Sequence, residues 1–267
     1  MTDYVHGYDP REGVRLHDQA LTLVELLHGD TGFASGSAVL EVGCGVGAQT
    51  VTLARQSPGA QITAIDISAA SLAEARARVE SEGLTNVTFV HADVFAAPFA
   101  PASFDHVFVC FVLEHLADPV AALTTLRGLL KPGGTITVIE GDHGSTFFHP
   151  ESDAALAAID CQVRLQAAAD GDAKIGRRLY PLLDAAGFAG VRVSPRNVYV
   201  DASRPGLVDG FTRRTFTAMI EGVRARALAA RLIDADRFDA GIRALHRTTE
   251  PDGVFSYTFF KATATPG

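Results

Sequence analysis

The stretch "AVLEVGCGVGAQT" (residues 38–50) constrains this chain more than any other. An apolar run ends in three alternating glycines, Gly43, Gly45 and Gly47, and a helical pattern follows at once. Glycine lets the backbone turn tightly and approach a ligand closely. The N–H groups at a helix start then favour an anion. A second apolar run, "QITAID", ends at Asp66, 19 residues after Gly47. A carboxylate there can accept hydrogen bonds from both hydroxyls of a ribose. Strand, glycine turn, helix, strand and acid, in that order, predict a nucleotide-binding βαβ unit.

The same rhythm continues. Strands are expected at 38–43, 61–66, 86–93, 104–112 and 134–142, with helices after Gly47, over 69–82 and over 119–130. Nearly continuous apolar strands alternating with helices predict an α/β fold, its parallel sheet covered on both faces. Beyond 142 the rhythm changes. Residues 143–175 read as mostly helical, 177–188 as a helix and 189–200 as a strand. Two more helices are expected within 205–247, and a last strand at 253–264. An amphipathic helix over 14–28, with Leu21, Val24 and Leu27 at helical spacing, precedes all of this. With 267 residues, 47% of them apolar, a single large domain over 1–267 is expected.

Composition removes several classes. The net charge is −8 and no basic stripe is present, which argues against nucleic acid as a partner. Cys44, Cys110 and Cys161 are far apart and odd in number, which argues against a disulfide framework or a paired-ligand zinc site. The start is polar and no run approaches 18 apolar residues, so a cytoplasmic protein without a membrane span is expected.

"GCGVGA" also satisfies the dinucleotide fingerprint, so the glycine loop alone leaves a nicotinamide oxidoreductase open. Four motifs in order separate the two. Glu41, Gly43, Gly45 and Gly47 meet E/D-x-G-x-G-x-G, and Asp66 ends strand two. Asp93 follows strand three in "HADV", and "CFVLEHLADP" and "LLKPGG" flank the helix after strand four. In these the chain resembles the class I S-adenosylmethionine-dependent methyltransferases, over roughly 36–142, 177–200 and 253–264. The resemblance implies a Rossmann-like seven-stranded methyltransferase sheet with an antiparallel last strand. It implies helical insertions at 143–176 and 201–252 forming a substrate roof, and an N-terminal lid helix over 1–35. The implied cofactor is S-adenosyl-L-methionine. Glu41 and the Gly43–Gly47 turn would hold its methionine part, Asp66 its ribose, and Ile67, Asp93 and Val94 its adenine. Phe111 would lie near it from the end of strand four, and Tyr8 would close over it as a catalytic candidate.

"IEGDHGSTFFHP" (139–150) gathers Glu140, Asp142, His143 and His149 after strand five. His143 and His149 are six apart, a spacing without a metal-ligand signature, so no metal is expected. By the family's topology strands four and five are neighbours. Glu114, His115, Glu140, Asp142 and His143 would then converge at the reacting end, with Glu140 or His143 as the base. The competing reading is that Glu140 and His143 only satisfy loop backbone. His115 shapes the site more than it reacts, and His91 and His106 read as strand residues. Phe147, Phe148, Arg177, Tyr180, Phe211 and Phe216 either line an aromatic pocket or belong to the core. The longer pattern "HGYDPREG… EGDHGSTFFHP… GRRLYPLL" is similar to the physostigmine-type indole C3-methyltransferases of natural-product biosynthesis. That likeness implies a small-molecule partner, an indole or another aromatic, and C-methylation in secondary metabolism. O- or N-methylation of another metabolite stays open, and so does a homodimer.

Overall fold

The computed structural model describes residues 22–267. Helix α1 spans residues 22–28. It is followed by β1 (Ala38–Val42), α2 (Ala48–Gln56), β2 (Gln61–Asp66), α3 (Ala69–Ser81), β3 (Val87–His91), β4 (Phe104–Cys110) and α4 (Pro119–Leu129). Then come β5 (Leu130–His149), α5 (Asp153–Ala168), α6 (Leu179–Ala185) and β6 (Ala189–Val200). A helical run of α7 (Pro205–Leu207), a π-helix (Val208–Thr217) and α8 (Ala218–Gly222) leads to α9 (Arg224–Ala229), α10 (Ala235–Arg247) and β7 (Val254–Thr265).

All seven strands join one sheet in the order β3-β2-β1-β4-β5-β7-β6. Strands β1 to β5 pair in parallel, and the last strand is antiparallel. Parallel neighbours need a crossover between them, and the chain supplies helices whose starts are written in sequence. Ser68 caps α3 through Ser71 N–H, and Asp118 caps α4 through Ala121 N–H with Pro119 in the first turn.

The chain divides into two compact units. The first holds Val24–Glu140, Ile175–Arg196 and Phe260–Gly267; the second holds Gly141–Lys174 and Asn197–Phe259 with residues 22–23. In the first unit, Leu40, Val107, Val109, Ile136 and Val138 of the sheet pack on Leu123 and Leu126 of α4 and on Leu179 and Leu183 of α6. The opposite face of the same strands carries His106, Thr135, Thr137, Lys261 and Thr263, which border a pocket. The pocket interrupts the cover on this face, which is closed elsewhere: Phe108 is fully buried and its ring lies 5.7 Å from that of His28 in α1. "GTITV" and "FKATA" alternate polar and apolar residues, the pattern of a sheet wetted on one side.

Two further expectations change. Strand five was expected to stop at 142 and a helical stretch to follow. Instead β5 continues to His149, because Thr146, Phe147 and Phe148 favour extended backbone. Phe148 is buried and its ring stacks on Phe255 of β7 at 6.4 Å. Within 205–247 two helices were expected, whereas Val208–Thr217 is a π-helix and α9 and α10 follow it. The Thr215 hydroxyl donates to the Gly210 carbonyl at 2.7 Å, five residues back. The wider turn aligns Phe211 with Phe216. Both enter a cluster with Phe255, Tyr257 and Phe259, whose ring centroids are 4.7–6.5 Å apart.

In the second unit α5 and α10 pack at a distance that only glycine permits. A Cβ on Gly241 would lie 2.4 Å from the Ala154 carbonyl oxygen and 2.9 Å from Ala158 Cβ. Backbone cannot rotate away, so the helices would have to separate. Gly241→Ala gains about 1 kcal/mol of helix propensity, but overpacking costs about 1–3 kcal/mol. A net loss is expected in urea denaturation. A variant as stable as the wild type would show that the two helices are farther apart than described.

Candidate active site

The C-terminal ends of β1 and β2 form one corner of the first unit. Gly43 and Gly47 have φ of 68° and 78°, a region that disfavours side chains. Their surroundings exclude a Cβ as well: at Gly43 it would meet Val112 Cγ2 at 2.5 Å, and at Gly47 the Cα of Ala75 at 2.9 Å. Gly45 differs, since a Cβ there would meet nothing within 4 Å. The outer two glycines are demanded by packing, whereas around the middle one the described residues leave space. Gly45 N–H donates to Asp66 Oδ2 and Ser68 N–H to Asp66 Oδ1, both at 2.8 Å. Asp66 thus ties the glycine turn to the end of β2 and keeps further lone pairs on both oxygens. Beside it Ile67 is 61% exposed, high for a large apolar side chain. Asp93 is exposed and caps the 3₁₀ turn Val94–Ala96 through Phe95 N–H, with Val94 buried beneath. Helix α2 starts at Gly47 without a capping side chain, so its first N–H groups are available to an anion.

Glu41 lies on β1 with one carboxylate oxygen buried and without a hydrogen-bond partner among the described residues. Burial pushes its carboxyl up to about 7; the Thr50 hydroxyl opposes the shift and the Asp66 charge adds to it. The same burial, with the charges of Glu41 and Asp66, pushes the Cys44 thiol far above its ordinary value.

At the end of β4, Phe111 is held at φ 57°. That left-handed backbone costs a non-glycine residue about 1–2 kcal/mol. The turn after it is fixed by Glu140, whose Oε1 accepts Val112 N–H at 3.0 Å and Leu113 N–H at 2.7 Å. Glu140 is fully buried, and burial raises its carboxyl well above the carboxylate range. The neighbouring Glu114 charge raises it further, against the pull of the backbone N–H groups. Its donors are loop backbone, the arrangement of a residue that positions a turn. His115 Nε2 lies 3.7 Å from Glu114 Oε1.

The second unit holds the other two residues expected to converge. Asp142 accepts Gly144 N–H at 2.9 Å. His143 is buried, with Nδ1 3.1 Å from both the Ala173 carbonyl oxygen and the Tyr257 hydroxyl. A carbonyl only accepts, so the proton sits on Nδ1 and the lone pair on Nε2. The ring lies against Tyr257 and Phe216 at 5.6 and 5.9 Å. Tyr257 escaped the sequence reading. Its one signal was the apolar alternation of "VFSYTFF", which marks a buried face and not a hydroxyl partner. Gly141 makes room for it, since a Cβ there would stand 2.3 Å from the Tyr257 hydroxyl.

Phe211 and Phe216 are core residues, whereas Phe147, Tyr180 and His149 are exposed. Tyr8 lies outside the described residues. Among the described residues no three His, Cys, Asp or Glu side chains gather as a metal would need.

Residues 39–134 match the family model described as a methyltransferase domain. An uncharacterized 37.1 kDa protein of a Streptomyces fradiae transposon is 33% identical over 206 residues, 74% of this chain and 57% of that protein. A methyltransferase of Streptomyces halstedii, GfsG, is 35% identical over 144 residues, 52% of this chain and 51% of its own length. The chain thus spans about half the length of these two relatives. Among solved structures, a Haemonchus contortus phosphoethanolamine N-methyltransferase with bound S-adenosylhomocysteine superposes with a TM-score of 0.57. It is 20% identical, over 94% of this chain and 53% of that one. The fold is that of the Rossmann-like methyltransferases.

Two outcomes are expected from the buried acids. Free Glu41 ionises near 4.5 and folded Glu41 near 7, so its contribution to stability is full below about 4.5 and is lost as pH rises through 7. The loss is about 2–4 kcal/mol. Relative to Glu41→Gln, the ligand-free wild type should therefore weaken between pH 4.5 and 8 in urea titrations. Parallel pH profiles would refute the shift. For Glu140, alanine leaves two buried N–H groups without an acceptor and should cost about 2–5 kcal/mol, whereas Glu140→Gln keeps the accepting oxygen and should stay near wild type. Equal stability of the two variants would remove Glu140 from its clamping role.

Proposed function

We propose that this chain is an S-adenosylmethionine-dependent methyltransferase acting on a small molecule in the cytoplasm. The observation that carries the proposal is the glycine turn held on the Asp66 carboxylate, inside a segment that matches a methyltransferase domain. The cofactor is S-adenosylmethionine. The residues fit it. Asp66 offers oriented lone pairs to ribose hydroxyls, and exposed Ile67 offers an apolar surface to adenine beside Asp93 and Val94. Gly45 leaves open space, the start of α2 meets a carboxylate, and the orphaned Glu41 oxygen meets a cation. When bound, the cofactor supplies a methyl group on a sulfonium, already electrophilic.

The protein must then hold a nucleophile in line at about 3–3.5 Å and accept any proton it releases. Phe111 is assigned to the cofactor side, and Glu140 to positioning the turn that carries it. Residues 143–176 and 201–252 are assigned to substrate recognition. The substrate class favoured here is an indole methylated at C3, in secondary metabolism. What supports it is the sequence likeness of "EGDHGSTFFHP" and "GRRLYPLL" to the physostigmine-type indole C3-methyltransferases, with His143 as a base candidate within that stretch. As an indole C3 gains a methyl group its ring nitrogen becomes cationic, and His143 Nε2 takes that N–H proton. Tyr257 and the Ala173 carbonyl hold the imidazole in the tautomer that can do so. Tyr8 and a homodimer remain proposals of the same reading.

Asp66→Ala should weaken S-adenosylhomocysteine binding by about 1.5–3 kcal/mol for each lost charged hydrogen bond, as measured by calorimetry. Unchanged affinity in a folded variant, or tighter binding of NADH than of S-adenosylhomocysteine, would overturn the cofactor assignment. His143→Ala should bind S-adenosylhomocysteine normally and turn over about 10²–10⁴ times more slowly. Near-normal turnover would remove His143 as the base. Mass spectra of products from indole, phenol and amine acceptors separate C-, O- and N-methylation.

A further inference from the structure

One face of the first unit's sheet carries a pocket of about 250 Å³, formed by β4, β5, β6, β7 and residues 30–33. It lies on the face opposite α4 and α6, and its β5 residues, Thr135 and Thr137, precede the end of the strand. None of the residues assigned to the cofactor lines it.

Its lining is cationic and rich in donors. Lys261, Arg192 and Arg196 stand against one carboxylate, Asp30. Asp30 is already engaged, since Lys261 Nζ donates to its Oδ1 at 2.6 Å and Arg196 pairs with its Oδ2. Lys261 also donates to the Thr31 hydroxyl and the Leu27 carbonyl, so its three N–H bonds are used within the protein. That leaves Arg192, exposed and without an ion-pair partner among the described residues. It also leaves the Nε–H of Arg196, which is buried and lacks an acceptor among the described residues. The hydroxyls of Thr137 and Thr263 join them. On a chain of net charge −8, three cations around one acid are a local reversal of sign.

We infer that this pocket binds a small phosphate monoester or inorganic phosphate, through Arg192, Arg196, Thr137 and Thr263. Unused donors come from three strands, β5, β6 and β7, and so reach an anion from several directions. That distribution suits a tetrahedral group with three accepting oxygens better than a planar carboxylate. Guanidinium groups match phosphate oxygens in geometry as well as in charge. The volume decides the size of the ligand. It falls just short of the ~300–1,000 Å³ typical of drug-sized ligands, which leaves room for a phosphoryl group with a few carbons and not for a nucleotide.

The test uses the full chain, with sodium phosphate, glycerol 3-phosphate and sodium acetate at matched ionic strength. Phosphate and glycerol 3-phosphate should each raise the melting temperature saturably and give a calorimetric isotherm. Arg192→Glu should raise their Kd about tenfold or more, and Thr137→Val should raise it less. Both variants should keep the wild-type affinity for S-adenosylhomocysteine, which reports that they are folded. Stabilisation no greater than with sodium chloride, or unchanged phosphate affinity in both variants, would overturn the site. Acetate binding as tightly as phosphate would overturn the phosphoryl assignment. Competition between phosphate and S-adenosylhomocysteine would move the anion to the cofactor turn and refute a separate site.

Discussion

Two hydrogen bonds to one carboxylate organise the end of the sheet. Asp66 takes Gly45 N–H on one oxygen and Ser68 N–H on the other. A turn containing Gly43, Gly45 and Gly47 would otherwise be the least ordered kind of backbone, because glycine loses the most freedom on folding. Charged acceptors make bonds roughly twice as strong as neutral ones. One side chain therefore sets the turn, the start of α2 and the cap of α3 in a single arrangement.

Around this point the first unit concentrates acids away from water. Glu41 and Glu140 are both buried, and both carboxyls are raised, with Asp66 and Glu114 as charged neighbours. Such a cluster destabilises its own charged forms until a cation comes near. It is suited to a ligand carrying positive charge, and unsuited to an anionic nucleophile competing for the same space. The second unit is built on the contrary principle. His143 sits among the rings of Phe216 and Tyr257, with neutral hydrogen-bond partners, the Ala173 carbonyl and the Tyr257 hydroxyl. In the proposed function, electrostatic attraction and proton acceptance thus fall to different parts of the chain.

What could be read from sequence was what is local. The turn at 43–47, the helices that follow β2 and β4 and the acid ending β2 depend on residues a few positions apart, and all appear where their spacing puts them. What could not be read depends on distant partners or on conflicting signals. "GDHGST" looks like a loop because it is short of apolar residues, yet the aromatic pair after it draws β5 on to His149. The period of a π-helix is not among the patterns that hydrophobic spacing reveals. Alternation shows that Glu140 faces one side of a strand, not that its carboxylate ends on the backbone of Val112 and Leu113. Tyr257 meets His143 across 114 residues of chain, a contact only the folded sheet creates. The polar alternation of β5 and β7 marks where a pocket interrupts the cover expected on that face.

The setting of Cys44 has a consequence for how long such a protein survives in use. A sulfonium methyl donor is an alkylating agent, and a thiolate is the best nucleophile a protein contains. Cys44 lies within the glycine turn itself, between Gly43 and Gly45. Burial and the charges of Glu41 and Asp66 hold it in the thiol form. The thiol is a poor nucleophile, since reactivity follows the thiolate fraction. In the proposed function, the acids beside the glycine turn thereby also protect the protein from methylating itself.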